Sequence, residues 1–230
     1  VRVSVITFPG SNCDHDAMEA FETRGHHVSQ IWHKDTDLQS PDLVILPGGF
    51  SYGDYLRCGS IAKFSPIMNE VIGYANRGGM VLGICNGFQI LTESGLLPGT
   101  LMMNKSLQFI CQHQYIRVES ADSPYTFGLD KGMALDIPIA HKEGNYFTDA
   151  DGLKALQDSD RIVFRYCDRD GNVTPDANPN GAVDNIAGIC SENRRVLGMM
   201  PHPERAASSH VVSQDGLFII KAIENYFNSR

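Results

Sequence analysis

Through its first hundred residues the chain alternates short apolar runs with amphipathic stretches, an order that few folds accommodate. "VRVSVITF" (1–8) reads as a strand, residues 14–24 as a helix closed by Gly25, and "HVSQIW" (27–32) and "DLVILPGG" (42–49) as two more strands. Ser65 and Pro66 fit the N-cap and first position of a further helix, whose Ile67, Met68, Val71, Ile72 and Ala75 share a face and which stops at Gly78 and Gly79. "MVLGIC" (80–85) is another buried-type strand, followed by a helix from about Asn86 to Glu93. Strands separated by helices pair in parallel through right-handed crossovers, so this half predicts an α/β fold with an open, mostly parallel, doubly wound sheet. Ligands of such sheets sit beyond the carboxyl ends of the strands, where "PGGF" and "GIC" lie.

From about Thr100 the pattern changes. "FICQHQYIRVES", "MALDIPIA", "DRIVFRYCDR", "NIAGICSE" and "RVLGMMPH" read as strands with few helices between them, which predicts an additional antiparallel portion. Residues 168–184, "DRDGNVTPDANPNGAVD", read as an exposed, turn-rich excursion, and "DGLFIIKAIENYF" as a closing amphipathic helix. No linker or repeat interrupts the 230 residues, so one domain is expected over 1–230.

Composition removes several functions. A formal charge of -8 without a Lys/Arg cluster argues against a nucleic-acid partner. No apolar run approaches the roughly 20 residues that cross a bilayer, so a cytoplasmic protein without a membrane partner is expected. The six cysteines form no C-x-x-C pair and should be free thiols; apart from Cys85, they read as small buried hydrophobes.

Cys85 stands in "GICNG". A sharp strand-to-helix turn requires Gly two residues before and after its apex, and Gly83 and Gly87 meet that demand. Such a turn presents the thiol at a helix N-terminus, where the macrodipole favours a thiolate, and aims the N–H of Asn86 outward as one oxyanion donor. Glycines that serve only packing around a buried Cys remain an alternative on this pentapeptide alone. "MMPHPER" (199–205) supplies a base: prolines on both sides of His202 should keep the backbone extended, so that His202 and Glu204 project to one side as base and orienting carboxylate. In "LPGGFSYGDYLRCG" (46–59), Gly48 and Gly49 expose backbone N–H groups after a buried strand, and Gly49 is placed to give the second oxyanion hydrogen bond. His141, in "IPIAHKEGNY", ends a strand and can line the site. His15, His26, His27 and His33 have no metal-ligand spacing and read as structural or surface residues; no metal site is expected. Neither a phosphate loop nor a dinucleotide fingerprint occurs.

With Cys85, His202 and Glu204 in place, "GICNGFQ" and "PHPE" resemble the Cys and His-Pro-Glu motifs of class I glutamine amidotransferases, which have a flavodoxin-like sheet. Within that class, "PGSNCD" (9–14), "LPGGFSYGDYLR" (46–57), "GICNGFQIL" (83–91), "PIAHKEGNY" (138–146) and "MMPHPERA" (199–206) resemble the glutaminase subunits of phosphoribosylformylglycinamidine synthases. The resemblance implies a catalytic triad of Cys85, His202 and Glu204, oxyanion or substrate contacts from Gly48, Gly49, Phe50, Asn86, Gln89 and His141, and glutamine as substrate. It implies no cofactor in this chain, with ATP and Mg²⁺ on a large synthetase subunit that consumes the ammonia, and a small third subunit. It also implies that the isolated chain is poorly active. Two loops depart from the pattern: Lys142 and Asn145 stand where a small and a basic residue are expected, and Gln112 and His113 replace a basic residue and a Trp. Rival readings are a glutaminase serving another synthase, against which "GGFSYGDYLR" argues, and a non-enzymatic redox sensor, which would have no need of "PHPE".

Overall fold

The computed structural model describes residues 1–230. In chain order its elements are β1 (Arg2–Thr7), α1 (Asp14–Glu22), β2 (His27–Trp32), β3 (Leu43–Leu46), α2 (Pro66–Asn76), β4 (Met80–Ile84), α3 (Asn86–Glu93), β5 (Thr100–Met102), β6 (Ile110–Val118), β7 (Ala134–His141), β8 (Asn145–Phe147), α4 (Ala150–Asp158), β9 (Ile162–Tyr166), β10 (Ile186–Cys190), β11 (Val196–Met199) and α5 (Gly216–Asn228). Nine strands form one sheet in the order β2-β1-β3-β4-β11-β10-β9-β6-β7. The pairs from β2 to β11 are parallel and those from β11 to β7 antiparallel. The sheet is therefore the expected doubly wound one, continued by an antiparallel extension.

Burial explains the central strands. Every residue of β3, β4, β10 and β11 is buried, as continuous apolar runs covered on both faces require. One apolar cluster runs through both parts of the sheet, from Val5 and Leu82 to Ile137 and Ile189. The Tyr125 hydroxyl, fully buried, donates towards the carbonyls of Val81 (2.8 Å) and Arg195 (2.7 Å) and so fastens the β4–β11 edge to the loop after β6.

The sheet curls. β7 lies at its far edge, four strands beyond β11, yet Pro138 in β7 accepts the His202 N–H at 2.9 Å and the Ala140 carbonyl lies 3.6 Å from Cys85 Sγ. The antiparallel extension thus folds back over the carboxyl ends of β4 and β11.

Several expectations are corrected. Ser65 precedes α2 with Pro66 in its first turn, but its hydroxyl does not cap the helix; it bonds Tyr52 Oη (2.8 Å) and His33 Nδ1 (3.3 Å), so a tertiary contact replaces the local one. The 168–184 excursion is not wholly exposed, because Asn180 and Ala182 are buried. Helix α4 and the two-stranded β5–β8 sheet were not foreseen; α4 buries only Leu156, and its N-cap Asp149 accepts the Gly152 N–H at 2.8 Å. No helix is long and apolar enough to cross a membrane.

Candidate active site

The turn between β4 and α3 has the geometry its glycines imply. Cys85 sits at φ 49°, ψ -104°, a conformation that costs an L-residue on the order of 1–3 kcal/mol. The Cys85 N–H donates to the Met199 carbonyl of β11 at 2.8 Å, and its carbonyl accepts the Gln89 N–H at 3.2 Å, so the turn is bonded on both sides. A Cβ on Gly83 would lie 2.7 Å from the Gly87 carbonyl oxygen, and one on Gly87 would collide with the Leu46 carbonyl of β3. The glycines therefore admit the helix to the sheet.

Beside the thiol, His202 Nδ1 and Glu204 Oε1 are 2.7 Å apart, with both side chains buried. The pair forms as expected but on a different backbone. Pro203–Ala206 is a turn of 3-10 helix with His202 at its N-cap, not an extended segment, and the coil of that turn brings Glu204 back under the ring. Burial opposes charge on His202, but the Glu204 carboxylate and the neighbouring Cys85 and Cys13 thiols outweigh it and hold the imidazole well above its usual range. Nε2 of His202 and Oε2 of Glu204 make no hydrogen bond within the protein.

Cys13 is the residue that sequence reasoning missed. The sequence reads it as one of five small buried hydrophobes, which holds for Cys58, Cys167 and Cys190 and fails for Cys111, which is exposed. Cys13, however, offers its sulfur within 4.8 Å of the ligand atoms of His202 and Glu204. Its Sγ accepts from Arg205 Nη2 at 3.0 Å, and Arg205 Nε donates to Asp16 at 2.9 Å. Burial pushes the Cys13 thiol up, against the pull of His202. The sulfur already carries a guanidinium, and His202 and Glu204 are joined by their own hydrogen bond. The only advance signal of Cys13 was its place in "PGSNCD".

Gly48 lets this packing occur: a Cβ there would lie 2.7 Å from His202 Cε1 and 3.1 Å from Cys13 Sγ. Gly49 adopts φ 131°, where a side chain would press on the Asn12 amide nitrogen at 2.7 Å, and its own N–H is given to no acceptor in the protein. The Asn86 N–H is the first of α3 and has no intrahelical partner. The side chains of Asn86 and Gln89 form a brace: Asn86 Oδ1 accepts the Ser51 N–H (3.2 Å), Asn86 Nδ2 donates to Gln89 Oε1 (2.8 Å), and Gln89 Nε2 donates to the Glu143 carbonyl (2.6 Å).

Cys85 opens on a cavity of about 180 Å³ lined also by Gly49, Phe50, Gln89, His141 and Lys142. Asp54, Cys58, Phe109, Ala140 and Glu143 complete its wall, and the sequence reading assigns none of these to the site. Phe50 and Phe109 approach at 6.4 Å between ring centroids, and both are partly exposed. A larger cavity, about 690 Å³, lies behind Glu204 among Asp16, Arg24 and Arg205, and neither thiol lines it. His141 is buried, and burial followed by the charge of His202 pushes it down to about 3, so it is neutral. Its Nε2 meets Asn180 Nδ2 at 3.0 Å, while Nδ1 has no partner. Of the departures from the family pattern, only Lys142 reaches the cavity. Asn145 bonds the Met103 carbonyl, Gln112 bonds Gln114, and His113 pairs with Asp136.

The CobB/CobQ-like glutamine amidotransferase domain matches residues 1–215. The phosphoribosylformylglycinamidine synthase subunit PurQ of Koribacter versatilis is 54% identical over 97% of this chain and 97% of that protein. The corresponding subunit of Synechocystis sp. is 56% identical over 93% of this chain and 96% of that one. Among solved structures, PurLQS from Thermotoga maritima superposes with a TM-score of 0.87 at 41% identity, covering 98% of both chains. A glutamine amidotransferase from Thermotoga maritima, 17% identical with a TM-score of 0.56 over 100% of this chain and 84% of that one, shares the fold.

Proposed function

The chain belongs to the CobB/CobQ-like glutamine amidotransferase family and, within it, to the phosphoribosylformylglycinamidine synthase subunits PurQ, and from that premise we propose that Cys85 is its nucleophile, His202 the acid–base group and Glu204 the carboxylate that orients His202. The chain is the glutaminase component of the synthase, an enzyme of purine biosynthesis, and works with a synthetase subunit and a small third subunit, as the assembly PurLQS implies.

The chemistry is acyl transfer in two halves. Cys85 gives its proton to His202 Nε2, where the Glu204 carboxylate helps to hold it, and Sγ attacks the side-chain amide carbon of glutamine. The oxyanion is met by the N–H groups of Gly49 and Asn86, both uncommitted within the protein. His202 returns the proton to the departing nitrogen, the C–N bond breaks, and ammonia leaves a glutamyl thioester on Cys85. Water then gives a proton to Nε2 and attacks the thioester, the C–S bond breaks, and glutamate leaves with the thiol restored. Glu204, against Nδ1, keeps Nε2 aimed at the sulfur and supports the imidazolium of both halves. Gly48 gives the imidazole room, Gln89 braces the cavity wall, and Phe50 and His141 bound the substrate.

Nothing in this chemistry calls for a cofactor in this chain. Using the ammonia does require activation of a carbonyl, and we place ATP and Mg²⁺ on the synthetase subunit. We further propose that residues 1–230 act as one glutaminase domain, that the complex is cytoplasmic, and that the chain alone is slow until its partner docks.

The observation that carries this reading is the strained elbow, which sets Cys85 in the cavity with the buried His202–Glu204 pair beside it. The test is a Cys85→Ala variant in the assembled complex. It should lose glutamine-dependent amination while ammonium-dependent amination persists; glutamine use that survives the substitution overturns the assignment.

A further inference from the structure

The cavity that holds Cys85 carries two carboxylates and no paired cation. Asp54, on the loop after β3, and Glu143, on the turn after β7, both line it. They flank Cys58: Glu143 Oε2 accepts the Cys58 N–H at 3.4 Å, and the Cys58 thiol lies against the Asp54 carboxylate. The cations nearby in sequence are engaged elsewhere, since Arg57 and Lys63 both pair with Glu93. Lys142 lines the cavity but forms no ion pair with either carboxylate. Asp54 Oδ1 is buried and has no partner. Burial, and then the charge of Glu143, push the Asp54 carboxyl above the usual range, as expected for an anion that lacks its counter-charge.

A second wall group, His141, is only 3% exposed, and its Nδ1 also has no partner. With Nε2 turned to the Asn180 amide, Nδ1 carries the ring proton and is a donor, so the acceptors offered to a cation are the two carboxylates. A buried acceptor left unpaired is costly, and a donor that enters the cavity relieves that cost. A metal ion is a poor match, because Asp54, Cys58 and Glu143 do not converge as a set of ligand atoms. An ammonium group needs no such convergence. It presents three donors around one positive charge and can be held by one carboxylate with a second one behind.

We propose that Asp54, backed by Glu143, is the subsite that reads the α-ammonium group of the amino-acid substrate. The inference rests on the glutaminase reading above and adds what that reading lacks, a reason why the amide must belong to an amino acid. Cys85 acts on the side-chain amide at one end of the molecule, and the two carboxylates claim the charged nitrogen at the other. A substrate with the same amide but no α-amino group leaves both anions unpaired in a small cavity.

The experiment compares L-glutamine with glutaramate, the same chain without the α-amino group, in the complex with the synthetase. Unmodified protein should favour glutamine by about 100-fold or more in kcat/KM. In Asp54→Asn that preference should fall by about tenfold or more, with the loss carried mainly by KM for glutamine, and Glu143→Gln should move it the same way by less. A preference retained within about threefold in both variants overturns the subsite, as does unmodified protein that uses the two amides equally. Ammonium-dependent turnover of the same complexes reports whether a variant has folded and assembled. If unmodified complex hydrolysed neither amide, the glutaminase reading itself would fall, a result distinct from loss of the subsite.

Discussion

Asn180 Nδ2 donates to His141 Nε2 at 3.0 Å, and the rest of the Asn180 side chain fixes which way round the amide lies. Its Oδ1 accepts the Ala182 N–H at 3.1 Å and its Nδ2 donates to the Gly144 carbonyl at 2.8 Å. Nε2 of His141 must therefore be the acceptor, and the proton of this neutral ring sits on Nδ1.

Replacing the donor by an isosteric acceptor should reverse that arrangement. In Asn180→Asp, the carboxylate accepts a hydrogen bond from Nε2–H, which moves the ring proton from Nδ1 to Nε2 and raises the His141 pKa beside His202. We expect a loss of about tenfold or more in kcat/KM for glutamine. Imidazole nitrogen chemical shifts read the tautomer directly. Shifts and activity that both match the unmodified protein would show that Asn180 does not govern His141.

The elbow gives a prediction in which stability and activity part. The mirror image of the Cys85 conformation lies near the extended region, so glycine adopts φ 49°, ψ -104° without the penalty an L-residue carries. Cys85→Gly should raise stability to urea by about 1 kcal/mol while abolishing glutamine hydrolysis. Gly87→Ala should do the reverse: its Cβ meets the Leu46 backbone, which cannot give way, and the loss should be about 3 kcal/mol or more. Equal stability of Gly87→Ala and unmodified protein would remove the steric reason for that glycine.

These residues also mark what was legible in the sequence. Gly83, Cys85 and Gly87 lie within one turn, so their relation is local and could be read. His202 and Glu204 were paired correctly but for the wrong reason, because a 3-10 turn rather than an extended strand joins them. Asn180 and Cys13 were out of reach. Asn180 meets His141 across 39 residues and Cys13 meets Arg205 across 192, contacts made only by the curl of the sheet and the return of the chain after β11. Ser65 shows the same limit on a smaller scale: its spacing fits a cap, and a tertiary contact with Tyr52 and His33 overrides it.

Two buried histidines should shape stability from opposite sides of pH. His141 falls from about 6.5 in the unfolded chain to about 3 in the fold. The unfolded state therefore binds more protons through that window, and stability is lost as pH falls through it, by about 1.4 kcal/mol per unit. His202 is raised, so its contribution is complete below about 6.5 and is lost as pH rises towards its folded value. Urea unfolding across pH should give a maximum near neutrality. His141→Asn should flatten the acid limb and Glu204→Gln the alkaline one; limbs that persist unchanged in these variants would assign the dependence to other groups.

Two thiols share one imidazole, and their surroundings should separate them. Cys85 opens on the substrate cavity, whereas Cys13 does not line it, is pushed up by burial, and has its sulfur held by Arg205 at 3.0 Å. A glutamine-mimicking electrophile such as 6-diazo-5-oxo-L-norleucine should thus modify Cys85 alone, and Cys85→Ala should take no label. Cys13→Ala should still be labelled at Cys85. It removes one of the groups that raise His202, so the alkaline limb of its kcat/KM profile should move to lower pH. Its loss of rate should be modest, about three- to tenfold, because Glu204 still holds the ring. Label found on Cys13 in the unmodified protein would transfer the nucleophile to that sulfur, and the strained elbow would then need another explanation.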